Sequence, residues 1–591
     1  MTRSSEHPLF REFSPVGWDE WQAKAALDLG EKSYEHIRWT TPDGFTLEPW
    51  YAPGNSVVLP VPLTRKTGNE WRNCRKINVT EPEKANREAL DSFSLDSSAL
   101  ELSFTERQSG CREELDRLLQ EISIPDVAIY FSGNIEEPEK LLETLAAIPG
   151  FSRNTGGVLA PLHEQAPERD SALFNAAESM PDFRFLAADT LPWHESGATP
   201  SQEIALALAA ASDILSRYSG SGIDPDRIAA RLEIVMAAGS SHFTELAKPR
   251  ALRALLLHLL KAYGVNEEVL PRLFARASRR NRSLLDPYTN VLRQTTEAVA
   301  AILGGYDTLQ IDPFDIGLSV ASGDAERISG NIHLILKEES FLDRVIDPAA
   351  GSHFIETLTS RLAESAWYFF LQIESAGGLA AATASCMIKR AVAESSSSRK
   401  KTLENRKKTL VGVNRYPETL SRLQEKKVPE LLLATESEPA GSETAAFEHL
   451  RLKAAKHRME KSCVPSVFIW LSGDPSLSFR QASFAEDFFR CGGFDIAGTA
   501  VLEATLKGCA TALQNRPAIV VLCIAEKDPV PAAETICKGL RELQPSVIPV
   551  MAGKPPAGSD HLSEAGLEGF VYTGVNVLEM LQSYHHKTGI Q

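Results

Sequence analysis

The feature that most constrains this chain is an alternation. From about residue 51 to residue 378, short apolar runs are separated by long stretches of helical periodicity. Val127-Ala-Ile-Tyr130 follows a helical pattern over 113–122. Phe185-Leu-Ala-Ala188 precedes one over 203–218, and Leu232-Glu-Ile-Val235 precedes one over 245–263. Strand–helix alternation over more than ~300 residues predicts a (β/α)8 TIM barrel rather than two stacked doubly wound units. Any active site of a barrel lies at the C-terminal ends of its strands. Helical patterns continue at 290–303, stopped by Gly304-Gly305, at 325–337, and at 357–376, stopped by Gly377-Gly378.

The alternation returns on a smaller scale near the C-terminus. Val467-Phe-Ile-Trp470, Phe494-Asp-Ile-Ala497, Ile519-Val-Val-Leu-Cys523, Val547-Ile-Pro-Val550 and Gly569-Phe-Val-Tyr572 read as strands with helices between them. Five strands in about 130 residues predict a flavodoxin-like doubly wound domain, whose ligands sit at the C-terminal strand ends. The expected division is an N-terminal arm over 1–34, the barrel over 35–430, a linker over 431–462 and the doubly wound domain over 463–591. Glu436-Ser-Glu-Pro-Ala-Gly-Ser-Glu443 is linker-like by composition.

In the arm, Pro15 and Gly17 precede Trp18-Asp-Glu-Trp21 and an amphipathic helix to about Leu29, too short to bury its face alone. It packs either on its own domain or on another subunit, with Trp18 and Trp21 as interface candidates. The polar stretch Glu394-Ser-Ser-Ser-Ser398-Arg-Lys-Lys401 reads as a solvated helix end or loop, with phosphate binding by its basic cluster as the alternative.

Charge and cysteine usage narrow the function classes. Lys plus Arg total 62 against 78 Asp plus Glu, a formal charge of −16. So acidic a surface argues against generic binding to nucleic acid or an anionic membrane, without excluding a local basic pocket. The eight cysteines are Cys74, Cys111, Cys386, Cys463, Cys491, Cys509, Cys523 and Cys537, none in a CxxC or zinc-ligand spacing. They read as reduced, mostly buried thiols of a cytoplasmic protein, and no metal site is expected. No apolar run reaches 18 residues, and the longest candidate, 252–260, is broken by Arg253 and His258. Residues 1–10 contain no apolar core of a secretory signal.

Several stretches in register resemble one family. They are Trp39-Thr-Thr-Pro-Asp-Gly44 with Glu48-Pro-Trp-Tyr51, and Arg231-Leu-Glu-Ile followed by Gly239 and Phe243-Thr-Glu-Leu-Ala-Lys-Pro-Arg250. Then come Asp286-Pro-Tyr-Thr-Asn290-Val-Leu-Arg293, Asp347-Pro-Ala-Ala-Gly-Ser352, Val411-Gly-Val-Asn-Arg-Tyr416 and Phe447-Glu-His-Leu-Arg451. From about Trp39 onward the chain resembles the methylmalonyl-CoA mutases, and among them the small subunit of the bacterial heterodimeric enzymes. The resemblance implies an acyl-CoA-binding barrel followed by a cobalamin-type domain. It also implies the radical interconversion of methylmalonyl-CoA and succinyl-CoA with adenosylcobalamin.

The residues that this chemistry requires depart from the family pattern. Active members carry Asp-x-His-x-x-Gly in the loop after the first strand of the cobalamin domain, where the His binds cobalt. The loop here keeps Asp474, but Ser476 replaces the His and Phe479 the Gly, so the cofactor loop is degenerate. Asp474 then reads as a helix cap, and Phe479 as crowding the space of the cofactor's nucleotide tail. Cys523-Ile-Ala525 and Ala552-Gly553 stand where the family has Ser-x-Leu and Gly-Gly. Cys523 is a soft donor in principle and a core thiol by preference.

The substrate side departs as well. Leu63-Thr64-Arg65 is followed by only a short loop before Trp71, without the family's active-site tyrosine. Leu100-Glu-Leu-Ser-Phe104 does not match the Phe-Asp-Leu-Pro-Thr segment, and no counterpart of the carboxylate-binding arginine's stretch occurs between Ile148 and Phe185. His194 in Trp193-His194-Glu-Ser-Gly197 resembles the histidine that contacts the thioester carbonyl. It reads as a general acid or hydrogen-bond donor, or, with its partners gone, as a structural remnant, the reading favoured here. His242 reads as a satisfied barrel histidine. Asp312 brings an unhelpful negative charge to an acyl-CoA site.

The expectation is a pseudoenzyme: the non-catalytic small subunit that stabilises a homologous large catalytic subunit, which carries both adenosylcobalamin and the acyl-CoA. No catalytic or cofactor-binding residue is expected on this chain. One alternative is a competent subunit holding cobalamin base-off without a histidine. Another, of a different class, is a chaperone-like binding protein for a mutase, although no GxxxxGK[ST] loop is present.

Overall fold

The computed structural model describes residues 16–53, 55–57, 68–108, 111–159, 167–317, 322–419, 427–436 and 438–590. The strands are β1 (Trp39–Thr40), β2 (Thr46–Leu47), β3 (Arg72–Val79), β4 (Ala99–Gln108), β5 (Ala128–Ile135), β6 (Gly157–Val158), β7 (Leu186–Asp189) and β8 (Leu232–Ala238). They continue with β9 (Arg272–Ala277), β10 (Thr308–Gln310), β11 (Ser466–Gly473), β12 (Asp495–Val501), β13 (Ile519–Ala525), β14 (Ile548–Ala552) and β15 (Gly569–Val571). β1 and β2 form an antiparallel hairpin.

Strands β3 to β10 form one parallel sheet in the order β6-β5-β4-β3-β10-β9-β8-β7. Its two ends meet. The Val158 N–H donates to the Arg184 carbonyl at 2.7 Å, and the Arg184 N–H to the Gly156 carbonyl at 2.9 Å, which closes the ring between β6 and β7. The result is the expected eight-stranded barrel. Every residue of β8 is buried, as a strand covered on both faces requires. Helix Pro200–Gly220 starts at a capping box: the Thr199 hydroxyl accepts from the Gln202 N–H and the Gln202 side chain from the Thr199 N–H. With His242–Ala262 and His353–Ser375 it forms part of the outer layer.

The last five strands form a second parallel sheet in the order β12-β11-β13-β14-β15, the flavodoxin-like arrangement expected. Between the sheets, residues 431–462 are less open than their composition suggests. Most of them lie in helices Val428–Glu436 and Ala445–Lys461, and Ser442, Glu443 and Thr444 are buried.

Three further expectations change. The helix expected over 113–122 ends at Leu118, and the chain turns through a left-handed Glu121 so that Leu119 and Ile122 still reach the core. The serine run at 395–398 lies within helix Met387–Glu404 rather than in a loop, with Ser396 buried and Ser397 and Ser398 exposed. A Cβ added to Gly197 would meet the Ser396 Cβ at 2.5 Å, so small residues permit this approach. His242 lies outside the barrel, on the first turn of helix His242–Ala262 against Phe243.

The arm helix Trp18–Leu29 buries none of its residues. Trp18 and Trp21 stack on each other at 5.6 Å and on Trp50 at 6.1 and 5.4 Å between ring centroids. The arm is thereby pinned to its own chain by one patch of indole, and most of the rest of the helix is exposed.

Candidate functional site

The barrel interior is filled in layers. At the N-terminal floor, Glu233 of β8 is wholly buried, and neither carboxyl oxygen has a hydrogen-bond partner. Burial pushes this carboxyl up to about 7, against the pull of Arg272, Arg184 and Arg72. Above it, Tyr130 and Phe274 meet edge to face at 5.2 Å, and the Tyr130 hydroxyl pairs with the Thr308 hydroxyl at 3.2 Å. Cys74 and Val235 complete this apolar plug.

The next layer is charged. Glu101 of β4 accepts from Ser132 Oγ at 2.6 Å and from Arg276 Nη2 at 2.9 Å across the lumen, with Lys76 Nζ at 3.4 Å. Burial alone would raise the Glu101 carboxyl, but Arg276 and Lys76 outweigh it and hold it below the usual carboxylate range. Two cations that face the mouth are therefore engaged by a carboxylate of the chain itself.

At the rim over β7–β9, His194 is 5 % exposed. Its Nδ1 lies 3.2 Å from Glu203 Oε2 and its Nε2 2.8 Å from Ser278 Oγ. With Glu203 ionised, Nδ1 carries the proton and Nε2 accepts from the serine, an assignment made from the network. Both ring nitrogens are thus committed within the chain. Glu203 also accepts from Lys248 Nζ at 2.9 Å and from the Ala237 N–H at 2.7 Å. Burial opposes its charge, yet Lys248 and His194 hold the carboxyl far below the usual range. Lys248 reaches Glu245 as well, at 2.6 Å.

The loop after β9 is pinned cation by cation. Arg279 pairs with Asp312 at 2.8 Å, so the acidic group expected to repel an anion is neutralised. Arg282 pairs with Glu297. Arg280 meets Glu443 at 3.3 Å, and Glu443 also takes Lys408 at 2.8 Å and lies 3.7 Å from Arg399. Burial raises the Glu443 carboxyl, but Lys408, Arg280 and Arg399 bring it down to about 2. The Glu443 N–H donates to the Arg280 carbonyl at 2.8 Å, and the Gly441 N–H to the Glu195 carbonyl at 3.1 Å. A Cβ at Gly441 would come within 2.3 Å of that oxygen. The segment expected as a linker is therefore the cover of the mouth over β7–β9. It leaves a cavity of about 60 Å³ beside His194 and Arg399. Leu63, Thr64 and Arg65 lie outside the described residues.

At the second sheet, Asp474 Oδ1 caps helix Pro475–Arg490 by accepting from the Leu477 N–H at 3.0 Å. Ser476 is exposed in the first turn. Phe479 is 57 % exposed and shares a shallow groove with Leu471 of β11 and Val501 of the edge strand β12. Cys523 is fully buried in β13, and burial pushes its thiol up to about 12. These residues do not fit a cobalt-bound corrin. The loop offers no imidazole, its carboxylate is engaged by the helix it caps, and the buried thiol is held protonated. Sequence reasoning singled out His194, Asp474, Ser476 and Phe479. It missed Glu101, Glu203, Arg280 and Glu443, which bear no recognisable motif.

Comparison with known proteins follows the same outline. Residues 158–462 match the family model described as methylmalonyl-CoA mutase. The small subunit of methylmalonyl-CoA mutase from Porphyromonas gingivalis is 30 % identical over 99 % of this chain and 99 % of its own length. That from Streptomyces virginiae is 27 % identical over 98 % of each chain. A methylmalonyl-CoA mutase from Rhizobium meliloti is 29 % identical over 48 % of this chain and 40 % of its own length.

Proposed function

Since the chain belongs to the methylmalonyl-CoA mutase family, we propose that it is the small, non-catalytic subunit of an adenosylcobalamin-dependent mutase of the cytoplasm. A homologous large subunit carries the cofactor and the acyl-CoA and interconverts methylmalonyl-CoA and succinyl-CoA. The observation that carries this reading is His194. A histidine poised for a thioester carbonyl needs a free N–H to donate at the mouth, whereas both nitrogens here are bonded to Glu203 and Ser278. The self-neutralised pair of Glu101 and Arg276 supports it, as does a cofactor loop with Ser476 in place of an imidazole.

The chain's own work in such a complex is mechanical. A rigid barrel, closed at its mouth by Glu443, is a fixed body against which a partner barrel is held. The uncovered arm helix, with Trp18 and Trp21 stacked on Trp50, supplies the anchor, because desolvating clustered indoles is a strong source of interface energy. Trp18→Ala with Trp21→Ala is expected to weaken association with the large subunit by about 2–4 kcal/mol. His194→Ala in the reconstituted complex is expected to leave turnover within about twofold at saturating substrate. A loss of about 10²-fold or more in kcat, with the complex intact by sizing, would assign His194 a catalytic role and overturn the proposal.

A further inference from the structure

The segment that covers the barrel mouth also walls a second, larger cavity of about 720 Å³. Its other walls are the end of helix Met387–Glu404, the first half of helix Ala445–Lys461 and the last turn of helix Val577–Thr588. It lies toward the amino end of the second sheet, where His585 on its wall bonds the Gly492 carbonyl in the turn before β12. A cavity of that size holds a small organic molecule. We propose that it binds a hydroxy acid with a hydrocarbon body. The carboxylate is held by Lys400 and Lys453, the hydroxyl donates to His585 Nδ1, and the chain lies against Phe447, Leu450 and Ile590.

Three observations point there. The first is an orphaned acceptor. His585 is 3 % exposed, and a carbonyl can only accept, so its Nε2 donates to Gly492 at 2.6 Å. Nδ1 is then the acceptor, buried with no hydrogen-bond partner among the described residues. Burial pushes the ring down to about 4, so it stays neutral and keeps that lone pair. The second is charge. Lys400 and Lys453 line the cavity, and neither has an ion-pair partner among the described residues. Of the carboxyl groups on the wall, Glu443 is surrounded by Arg280, Arg399 and Lys408. Burial pushes Glu438 up to about 7, and Glu404 accepts from Asn576 Nδ2 at 3.4 Å. The first turn of helix Ala445–Lys461 adds the positive end of its dipole. The balance favours an anion.

The third is the apolar remainder. Phe447, Leu450 and Ile590 offer a hydrocarbon surface that a fully polar anion would leave unused. Lys453 also helps to keep the His585 ring neutral, so its charge lies close to that ring. A ligand's anionic group and its hydrogen-bond donor therefore belong near each other, as in an acid with a hydroxyl beside its carboxylate. Lysines that are free in the unbound protein need not break a native pair to engage it. The inference goes beyond the subunit's catalytic silence and does not depend on it.

The test is calorimetric titration of the intact chain with three probes: 2-hydroxyoctanoate, octanoate, and the neutral 1,2-octanediol. The hydroxy acid is expected to bind saturably. Octanoate is expected to bind about fivefold weaker, for want of the bond to Nδ1, and the diol about tenfold or more weaker, for want of the charge. Lys453→Gln is expected to weaken the hydroxy acid about tenfold. Ala446→Trp, at an exposed position on the wall, is the second variant: it fills the cavity and is expected to abolish binding without lowering Tm. No saturable binding of the hydroxy acid, octanoate or the diol as tight as the hydroxy acid, or unchanged affinity in both variants would each overturn the proposal.

Discussion

The barrel mouth and the carboxyl edge of the second sheet are both places where such folds carry ligands, and here they are built in opposite ways. At the mouth, Glu101, Glu203, Asp312 and Glu443 each engage cations from elsewhere in the barrel or its cover, and His194 spends both nitrogens on neighbours. At the edge, Arg480, Lys527 and Lys554 face a groove without such partners among the described residues. A site that satisfies itself gains rigidity and loses its capacity for a ligand, because each internal pair must be broken before an outside group can replace it. The difference separates a part whose charges are spent on its own framework from a part whose cations are not so engaged among the described residues.

The contrast is broken most directly at Glu203. Removing its carboxylate leaves Lys248 and His194 without their shared partner in a wholly buried site. Glu203→Ala is therefore expected to destabilise the barrel by about 3–5 kcal/mol in urea unfolding. A loss below about 1 kcal/mol would mean that the mouth is not held from within. Glu443→Gln comes next, at about 2–4 kcal/mol, reduced because Lys408 is partly exposed.

Acid titration should show the same group. The folded Glu443 carboxyl is depressed to about 2, so its contribution is present above the unfolded value of 4.5 and is lost as pH falls from there through 2. That acid loss should be shallower in Glu443→Gln. Glu233 on the barrel floor runs the other way. Raised to about 7, its contribution is fully present below 4.5 and is lost as pH rises through 7. Glu233→Gln is expected to gain about 1–3 kcal/mol on the parent at pH 8 and little at pH 4.5. The smallest effect is expected at the open edge. Lys554→Ala should leave unfolding within about 0.5 kcal/mol, since no pair is broken. A larger loss would reveal a partner for that lysine and erase the contrast.

What could be read from the sequence divides along the same line. The strands were legible because parallel strands buried on both faces are continuous apolar runs, and β8 and β13 show them plainly. The residues that carried the family resemblance hold the framework. Asn290 fixes the loop after β9 by accepting from the Ser283 N–H and donating to the Ser283 and Phe314 carbonyls. Asn414 likewise ties its turn to Leu403 and Lys408, and Glu448 takes the Ser283 hydroxyl and the Leu284 N–H. Such residues stay recognisable because a buried polar group without its partners is costly.

The closure of the mouth was not legible. Glu443 sits in a Ser/Pro/Gly/Glu stretch with a linker's composition, and only the three-dimensional approach of Arg280, Arg399 and Lys408 makes it a cover. The serine run at 395–398 misled for the same reason, since Ser396 is buried against Gly197 while Ser397 and Ser398 face solvent on the same helix. At the second sheet the substitutions at Ser476 and Phe479 could be read directly, whereas the cationic groove required the folding together of residues some 70 positions apart, from Arg480 to Lys554.

The most direct test of catalytic silence is an absorbance spectrum and mutase assay with adenosylcobalamin, on the chain alone and then with its large-subunit partner. The chain alone is expected to retain no corrin absorbance after gel filtration and to show no turnover, with activity appearing only once the partner is added. Retained cobalamin or measurable turnover from the chain alone would contradict this, and would require a mode of cobalt binding that Ser476 and the helix-capping Asp474 do not provide.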